Sequence, residues 1–255
     1  MQKSPFLEAA LEAAAAAAAV IEHYYRSNLR VTIKADQSPV TEADVESEKT
    51  IHSVLRARFP EHGFYGEETG ASEIDAEYLW LVDPIDGTKA FVRGYPMFST
   101  QIALMHRGRL IVGVSSAPVY GELAYAEREA GAWLNEQPIR VSETGSLADA
   151  ALSTGNLKTL ASGAGWPLLG RLVTKVNRIR GYGDFLHYHL LASGKIDAVI
   201  ESDVNILDVA ACSVIVEAAG GRFTTLEGRP LALDSTTVLA SNGPLHGRLE
   251  EALSG

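Results

Sequence analysis

Two carboxylates, Asp83 and Asp86, stand directly after an apolar run at residues 80–82. The run is typical of the end of a buried strand, and the proline after Asp83 cannot continue a ladder of backbone hydrogen bonds. Two carboxylates at a strand end can converge on one point, where their oxygens are hard ligands suited to Mg²⁺. Gly87 and Thr88 then offer backbone N–H groups at a predicted helix start, where an anion binds well. The stretch therefore predicts a metal site beside a phosphate site.

The same stretch has a simpler interpretation as an acidic turn that contains a proline. A lone Asp-Pro or Asp-Gly pair is most often such a turn. That interpretation has to account for two Asp, one Gly and one Thr in a fixed order after an apolar strand. The metal and phosphate site accounts for all four residues, and we favour it.

Composition and charge restrict the partners of the chain. With 255 residues, 46% of them hydrophobic and 21% charged, it has the composition of a globular protein with one large domain or two intimate halves. Its formal net charge of −10 argues against a nucleic-acid partner, because phosphate backbones need basic patches. An acidic protein that binds a phosphate group needs local positive charge, which bound metal ions would supply.

The number of cysteines and the hydropathy of the chain indicate the cellular compartment in which the protein works. Cys212 is the single cysteine, so neither an internal disulfide nor a cysteine-based zinc site is predicted, and a reducing cytoplasm fits. The alanine-rich run at residues 13–21 is far shorter than the ~20 apolar residues that span a bilayer, and Glu8 and Glu12 precede it. A cytoplasmic protein without a membrane segment is predicted.

Helices and strands must bring the polar groups together. The first helix is predicted from Ser4 to Ser27, and a second follows Thr41, a credible N-cap with Asp44 at position N3. Capping alone could explain both residues. Beyond residue 91, apolar runs between turns predict an antiparallel meander, whereas the later chain alternates strand and helix and predicts a mostly parallel or mixed sheet. The turn-rich residues 142–148 divide an N-terminal α+β half, 1–147, from a C-terminal α/β half, 148–255.

Other carboxylates stand at the ends of predicted elements. Glu67 and Glu68 end a short strand, although such residues are more often merely solvated. Asp184 and Asp208 each open a predicted helix, and N-capping is the alternative explanation for both. Glu201 ends a strand seven residues before Asp208.

Together these motifs resemble those of the inositol monophosphatase family of metal-dependent phosphatases. The resemblance covers nearly the whole chain and rests on Gly66-Glu67-Glu68, Asp83-Pro-Ile-Asp86-Gly-Thr88 and Leu207-Asp208-Val-Ala-Ala, in the family's order. Within the family, Thr88-Lys89-Ala90-Phe91 and Arg180-Gly-Tyr-Gly-Asp184 are most similar to bacterial histidinol-phosphatases. The chain departs from the family at Leu207, where members usually have Trp.

The resemblance implies an α+β fold, a layered α-β-α-β-α sandwich of the inositol monophosphatase/fructose bisphosphatase type. It also implies two Mg²⁺ ions per subunit, with a third and weaker one near Asp44 as an open alternative. The expected ligands are Glu67, Asp83, the Ile85 carbonyl and the Thr88 hydroxyl for one ion, and Asp83, Asp86 and Asp208 for the other. Glu67 and the Asp44–Thr88 pair are expected to position or deprotonate the attacking water, and Gly87 and Thr88 to bind the phosphate.

The expected reaction is hydrolysis of a small phosphate monoester by metal-activated water. L-Histidinol phosphate, an intermediate of histidine biosynthesis, is the leading substrate, because Asp184 and Glu201 could meet its amino group and imidazole. Inositol or other polyol monophosphates and adenosine 3′,5′-bisphosphate stay open as alternatives. A regulatory binding protein on the same fold is the alternative from another class, although the full carboxylate set favours an enzyme. A homodimer is the family expectation.

Overall fold

The computed structural model describes residues 3–25, 31–33, 39–163 and 165–254. The α-helices are α1 (Pro5–Tyr25), α2 (Glu42–Arg58), α3 (Thr88–Val92), α4 (Leu157–Ser162), α5 (Trp166–Val173), α6 (Asp184–Ala192), α7 (Ile206–Ala218) and α8 (His246–Ser254). The strands are β1 (Val31–Ile33), β2 (Pro39–Thr41), β3 (Gly63–Gly66), β4 (Gly70–Ser72), β5 (Tyr78–Asp86), β6 (Ser99–His106), β7 (Arg109–Ala117), β8 (Glu122–Glu127), β9 (Gly131–Leu134), β10 (Gln137–Ile139), β11 (Ala151–Thr154), β12 (Arg178–Arg180), β13 (Ala198–Ser202), β14 (Arg222–Thr224) and β15 (Thr237–Ser241). The predicted end of the first helix at Ser27 lies outside the described residues.

Two sheets form the frame of the molecule. The larger has the order β10-β9-β8-β7-β6-β5-β3-β4, and within it only β3 and β5 run parallel. Strands β6 to β10 pair antiparallel in chain order, which confirms the predicted meander. The smaller sheet has the order β12-β11-β13-β15-β14, with parallel pairs on both sides of β11 and antiparallel pairs around β15. It is therefore mixed, in agreement with the strand–helix alternation of its sequence.

Helices and sheets alternate in five layers. Alternate residues of β5 divide between two cores: Trp80 and Val82 pack with α1 and α2, whereas Leu79 and Leu81 pack with α7 on the opposite face. This division follows from the two-residue period of a strand. A third core joins the smaller sheet to α5 and α8. The order α, β, α, β, α confirms the expected sandwich.

Helix α7 lies between the two sheets. Nearly all its residues from Ile206 to Val216 are buried, as expected for a helix covered on every side. Gly113 on β7 permits this packing, because a Cβ there would clash with the carbonyl oxygen of Ala211. Since α7 packs on a sheet formed by the N-terminal half, the two halves share a core, and the division at residue 147 stays a prediction.

The alanine-rich helix α1 has an intramolecular role. Ala9, Ala10, Ala13 and Ala17 are fully buried, and the helix packs against α2 and the larger sheet. Small side chains let these layers approach closely. Across the described residues, every helix is too short or too polar to cross a bilayer.

Candidate metal centre and active site

A bulge in β5 brings two of the predicted carboxylates together. The strand continues through Pro84 to Asp86, so the prediction that it ends before the proline is wrong. Asp83 pairs with Gln101 and Asp86 with Ser99, so three steps along β5 match two along β6. Residues three apart on a regular strand face opposite sides, and the additional residue of the bulge reverses this. Asp83 and Asp86 therefore face the same place, as predicted.

Asp208 completes a cluster of three carboxylates. One oxygen of each of Asp83, Asp86 and Asp208 lies within 4.8 Å of the others. The alternative explanation of Asp208 as the N-cap of its helix does not hold, because Asn205 is the N-cap of α7 and Asp208 is residue N3 of a capping box. Its Oδ2 accepts the Asn205 N–H at 2.8 Å. This bond holds the carboxylate at the end of α7 nearest to β5.

Burial and mutual repulsion disturb the ionisation of all three groups. Burial, followed by the charges of Glu67, Asp86 and Asp208, raises the pKa of Asp83 well above its ordinary value. Asp86 has a similarly raised pKa, caused by burial and then by Asp184 and the other carboxylates. Burial is also the main cause that raises the pKa of Asp208 to about 7. A divalent cation would relieve this repulsion, and three converging carboxylates are the donor set that a hard cation prefers. The residues therefore fit a metal site.

Glu67 reaches this cluster from the neighbouring strand. Strand β3 runs parallel to β5, with Gly66 opposite Val82, and the Glu67 N–H donates to the Val82 carbonyl at 3.2 Å. Parallel strands end at the same edge of a sheet, so Glu67 comes beside Asp83. Its side chain is exposed, yet its charge contributes to the raised pKa of Asp83. The structure thus brings Glu67 together with the predicted metal ligands.

Thr88 and Asp44 form a second feature of the site. The Thr88 hydroxyl lies 3.2 Å from Asp44 Oδ1 and 3.0 Å from the Ile85 carbonyl oxygen, and it can donate to either. Asp44 Oδ2 accepts bonds from the Thr41 N–H at 2.8 Å and the Thr41 hydroxyl at 2.6 Å. The predicted capping box of α2 is therefore confirmed, and it fixes the carboxylate that contacts Thr88. Burial raises the pKa of Asp44.

Gly87 makes the turn between β5 and α3. Its φ of +90° lies in the left-handed region that favours glycine. A Cβ there would come within 2.5 Å of the Met97 carbonyl oxygen. Helix α3 begins at Thr88, and the first N–H groups of any helix lack intrahelical partners. The predicted helix start beside the carboxylate cluster is confirmed.

Glu201 and Asp184 form an acidic wall on the C-terminal side. Glu201 is buried at 5% exposure, and its Oε2 lies 3.0 Å from His187 Nε2 and accepts the Tyr188 hydroxyl at 2.7 Å. Burial, followed by the charge of Glu201, raises the pKa of Asp184 to about 6. Because Asp184 and Glu201 both contribute to the raised pKa of Asp86, the acidic wall lies close to the carboxylate cluster.

The structure corrects the interpretation of Asp184 and adds residues that the sequence did not indicate. Gly183 is the N-cap of α6, and Asp184 follows it with a φ of +44°, which is uncommon for a residue with a side chain. His187 and Tyr188, which hold Glu201, were not predicted as part of the site. The sequence feature that could have pointed to them is the adjacent His and Tyr that follow Asp184 in α6. Glu48, a buried residue of α2, was likewise missed.

Known proteins are similar to this chain in sequence and in fold. The model of the inositol monophosphatase family matches residues 2–254. A histidinol-phosphatase from Streptomyces coelicolor is 37% identical, over 93% of this chain and 92% of that protein. An inositol-1-monophosphatase from Synechocystis is 34% identical, over 98% of this chain and 88% of that protein.

A solved structure has the same fold as this chain. The extragenic suppressor protein suhB from Bartonella henselae superposes with a TM-score of 0.89 at 32% identity and covers 98% of each chain. The layered fold and the carboxylate cluster agree with the sequence match. The chain therefore belongs to the inositol monophosphatase family, whose members are metal-dependent phosphatases.

Proposed function

We propose that this chain hydrolyses L-histidinol phosphate to L-histidinol and phosphate, as a step of histidine biosynthesis. The observation that carries the proposal is the acidic wall of Asp184 and Glu201 beside the carboxylate cluster. An ammonium or imidazolium group is the kind of substrate group that a buried carboxylate, Glu201, and a half-buried one, Asp184, attract. The name histidinol-phosphatase of the Streptomyces relative supports the same substrate.

The proposed cofactor is Mg²⁺, with two ions per subunit. One would be held by Glu67, Asp83 and the Ile85 carbonyl, with the Thr88 hydroxyl beside it, and the other by Asp83, Asp86 and Asp208. When bound, the ions would lower the pKa of a water and stabilise the leaving oxygen. A third ion near Asp44 would compete with Thr41 and Thr88, which already occupy its two oxygens, so its affinity would be the weakest.

Thr88, Asp44 and Glu67 would handle the proton of the attacking water. The Thr88 hydroxyl can accept this proton at Oγ1 while it donates its own to Asp44 Oδ1, 3.2 Å away. The raised pKa of Asp44 favours this direction of transfer. Glu67 is exposed beside Asp83 and would orient the water from the other side.

The remaining groups would bind the two ends of the substrate. The N–H groups of Gly87 and Thr88 would hold the phosphate oxygens at the start of α3. Asp184 and Glu201 would bind the cationic end. His187 and Tyr188 keep one oxygen of Glu201 in place, which would reduce the entropy lost when substrate binds.

An inositol or other polyol monophosphatase is the second candidate. The Synechocystis relative bears such a name, and carboxylates also accept hydrogen bonds from hydroxyl groups. Adenosine 3′,5′-bisphosphate is less suitable, because a second phosphate would meet the acidic wall. A regulatory binding protein on the same fold is the non-enzymatic alternative.

One comparison separates these candidates. We would measure Mg²⁺-dependent kcat/KM for L-histidinol phosphate, inositol 1-phosphate and adenosine 3′,5′-bisphosphate, with Asp83→Asn as the inactive control. A preference of ~10²-fold for histidinol phosphate, about 2.7 kcal/mol of transition-state discrimination, would support the proposal. A flat or inositol-favouring profile would contradict it, and no turnover of any ester would favour the regulatory alternative. A homodimer and a cytoplasmic location stay predictions.

A further inference from the structure

Glu48 places a carboxylate inside the protein, beneath the turn that carries Glu67. The residue belongs to α2 and has an exposure of 0%. Its Oε2 accepts the Glu68 N–H and its Oε1 accepts the Thr69 N–H, each at 2.8 Å. Burying a carboxylate is costly unless strong hydrogen bonds compensate, and bonds from N–H groups to a charged acceptor are short and strong. Glu48 therefore holds the backbone of this turn at two adjacent points.

The same carboxylate also contacts the residue before Glu67. A Cβ on Gly66 would come within 2.5 Å of Glu48 Cδ and 2.6 Å of both its oxygens. Gly66 is the last residue of β3, opposite Val82 in the strand that continues to Asp83. Glu67 is thus fixed on both sides: Glu48 lies against Gly66 before it and binds Glu68 and Thr69 after it.

We propose that Glu48 is a positioning residue that holds Glu67 against Asp83 for Mg²⁺ binding. The inference rests on the proposed role of Glu67 as a metal ligand, but not on the identity of the phosphate ester. The chemistry requires a glutamate. Glutamine has one acceptor oxygen, and its NH₂ group would face the second N–H donor. Aspartate keeps the charge but is one methylene shorter and cannot reach both N–H groups from the same backbone position.

Hydrogen exchange tests the contact without substrate or metal. In the wild-type protein freed of Mg²⁺, the amides of Glu68 and Thr69 are expected to exchange slowly although they belong to a surface turn. Glu48→Gln is expected to increase both exchange rates by ~10-fold or more, since one bond is lost and the other weakened. Wild-type amides that exchange at the rate of an unprotected turn would overturn the proposal.

Mg²⁺ binding, measured by calorimetry with Mg²⁺ alone, tests the consequence. Loss of a residue that orients a ligand typically weakens metal binding by ~10- to 100-fold, and we expect this range for Glu48→Gln. At saturating Mg²⁺, KM for the best phosphate ester should change little. Glu46→Gln is the matched control, because it removes the same charge from the exposed side of α2 and should leave Mg²⁺ binding unchanged.

Two further variants separate positioning from other roles. Glu48→Asp should weaken Mg²⁺ binding as Glu48→Gln does. If Glu48→Asp binds Mg²⁺ with wild-type affinity, the weaker binding of Glu48→Gln is caused by loss of charge, and the proposal is overturned. Gly66→Ala places a Cβ against the Glu48 carboxylate and should also weaken Mg²⁺ binding. This variant replaces Glu48→Gln in the test if Glu48→Gln does not fold. A lower melting temperature with unchanged Mg²⁺ affinity would show a merely structural role. Because none of these readouts needs histidinol phosphate, failure of the substrate assignment would leave the test intact.

Discussion

Gly155→Ala would test the acidic wall without removing a charge. Gly155 follows β11, and its N–H donates to the Ile200 carbonyl at 3.2 Å. An added Cβ would overlap Glu201 Oε1, the atom nearest to it, and would lie 2.6 Å from Cδ and 3.0 Å from Cγ of the same residue, whereas ordinary van der Waals contact is 3.4–4 Å. The carboxyl carbon must therefore move by at least about 0.8 Å, and Oε1 by more. Gly155 lies outside the left-handed region, so the clash rather than backbone strain sets the effect of an alanine.

The expected effect follows from how Glu201 is held. Its Oε2 is bound by His187 and Tyr188, so a shift of this size strains or breaks both contacts and misplaces the other oxygen. A misplacement of about 1 Å can cost ~10²-fold in rate, or about 2.7 kcal/mol. We expect a loss of this order in kcat/KM for L-histidinol phosphate.

The assay compares L-histidinol phosphate with inositol 1-phosphate at saturating Mg²⁺. The loss should be smaller for inositol 1-phosphate, because its hydroxyl groups carry no charge for Glu201 to stabilise. Gly170→Ala is the matched control, since a Cβ on this residue of α5 would meet no atom within 4 Å. If folded Gly155→Ala protein keeps its kcat/KM for histidinol phosphate within ~3-fold, the position of Glu201 does not determine specificity, and this reasoning is refuted.

Three further predictions concern the carboxylates. Asp83→Asn should abolish Mg²⁺-dependent turnover and the Mg²⁺-induced rise in melting temperature. It should not lower the melting temperature of the metal-free protein, because the neutral amide relieves the repulsion between the carboxylates. A large fall in the metal-free melting temperature, measured by calorimetry, would contradict this. Tyr188→Phe removes the hydroxyl that donates to Glu201 at 2.7 Å. It should lower the free energy of unfolding by ~1.5–3 kcal/mol and kcat/KM for histidinol phosphate by ~10-fold. The Mg²⁺ affinity, measured by titration, should not change. The pKa is about 6 for Asp184 and about 7 for Asp208, whereas the ordinary value is 3.8. Between the ordinary and the raised pKa of each group, the folded metal-free protein therefore binds more protons than the unfolded chain. The stability of the metal-free protein should therefore fall as pH rises from about 4 to about 7, and Mg²⁺ should stabilise the protein most near pH 7. Thermal unfolding with and without Mg²⁺ across this pH range is the measurement. A metal-free stability that rises with pH would show that the reasoning is wrong.

Local chemistry made much of the fold and site predictable. The capping box of Thr41 and Asp44 spans three residues and could be read directly, as could the glycine turn at Gly87. The meander followed from alternating apolar runs and turns. The family motifs indicated the carboxylates, of which Asp83, Asp86 and Asp208 meet within 4.8 Å.

Errors arose where a local preference competed with tertiary contacts. Pro84 favours the end of a strand, but β5 is held between β3 and β6 and accommodates the proline in a bulge. Asp184 is a good capping residue by type, yet Gly183 takes that position. The small alanine side chains of α1 permit a close approach, but their partners, α2 and the larger sheet, could not be identified from the helix alone.

The sequence by itself determined which residues could do chemistry, because residue type and short spacing set acidity, turn geometry and capping. Only the tertiary structure decided how those residues are supported. Glu48 lies twenty residues before Glu68 and Asp208 lies far from Asp83 in the chain, so no short pattern records either contact. These groups come together because strands β3 and β5 end at one edge and α7 is buried between two sheets. The physical reason is that burial and long-range packing, rather than local preference, place and perturb the carboxylates.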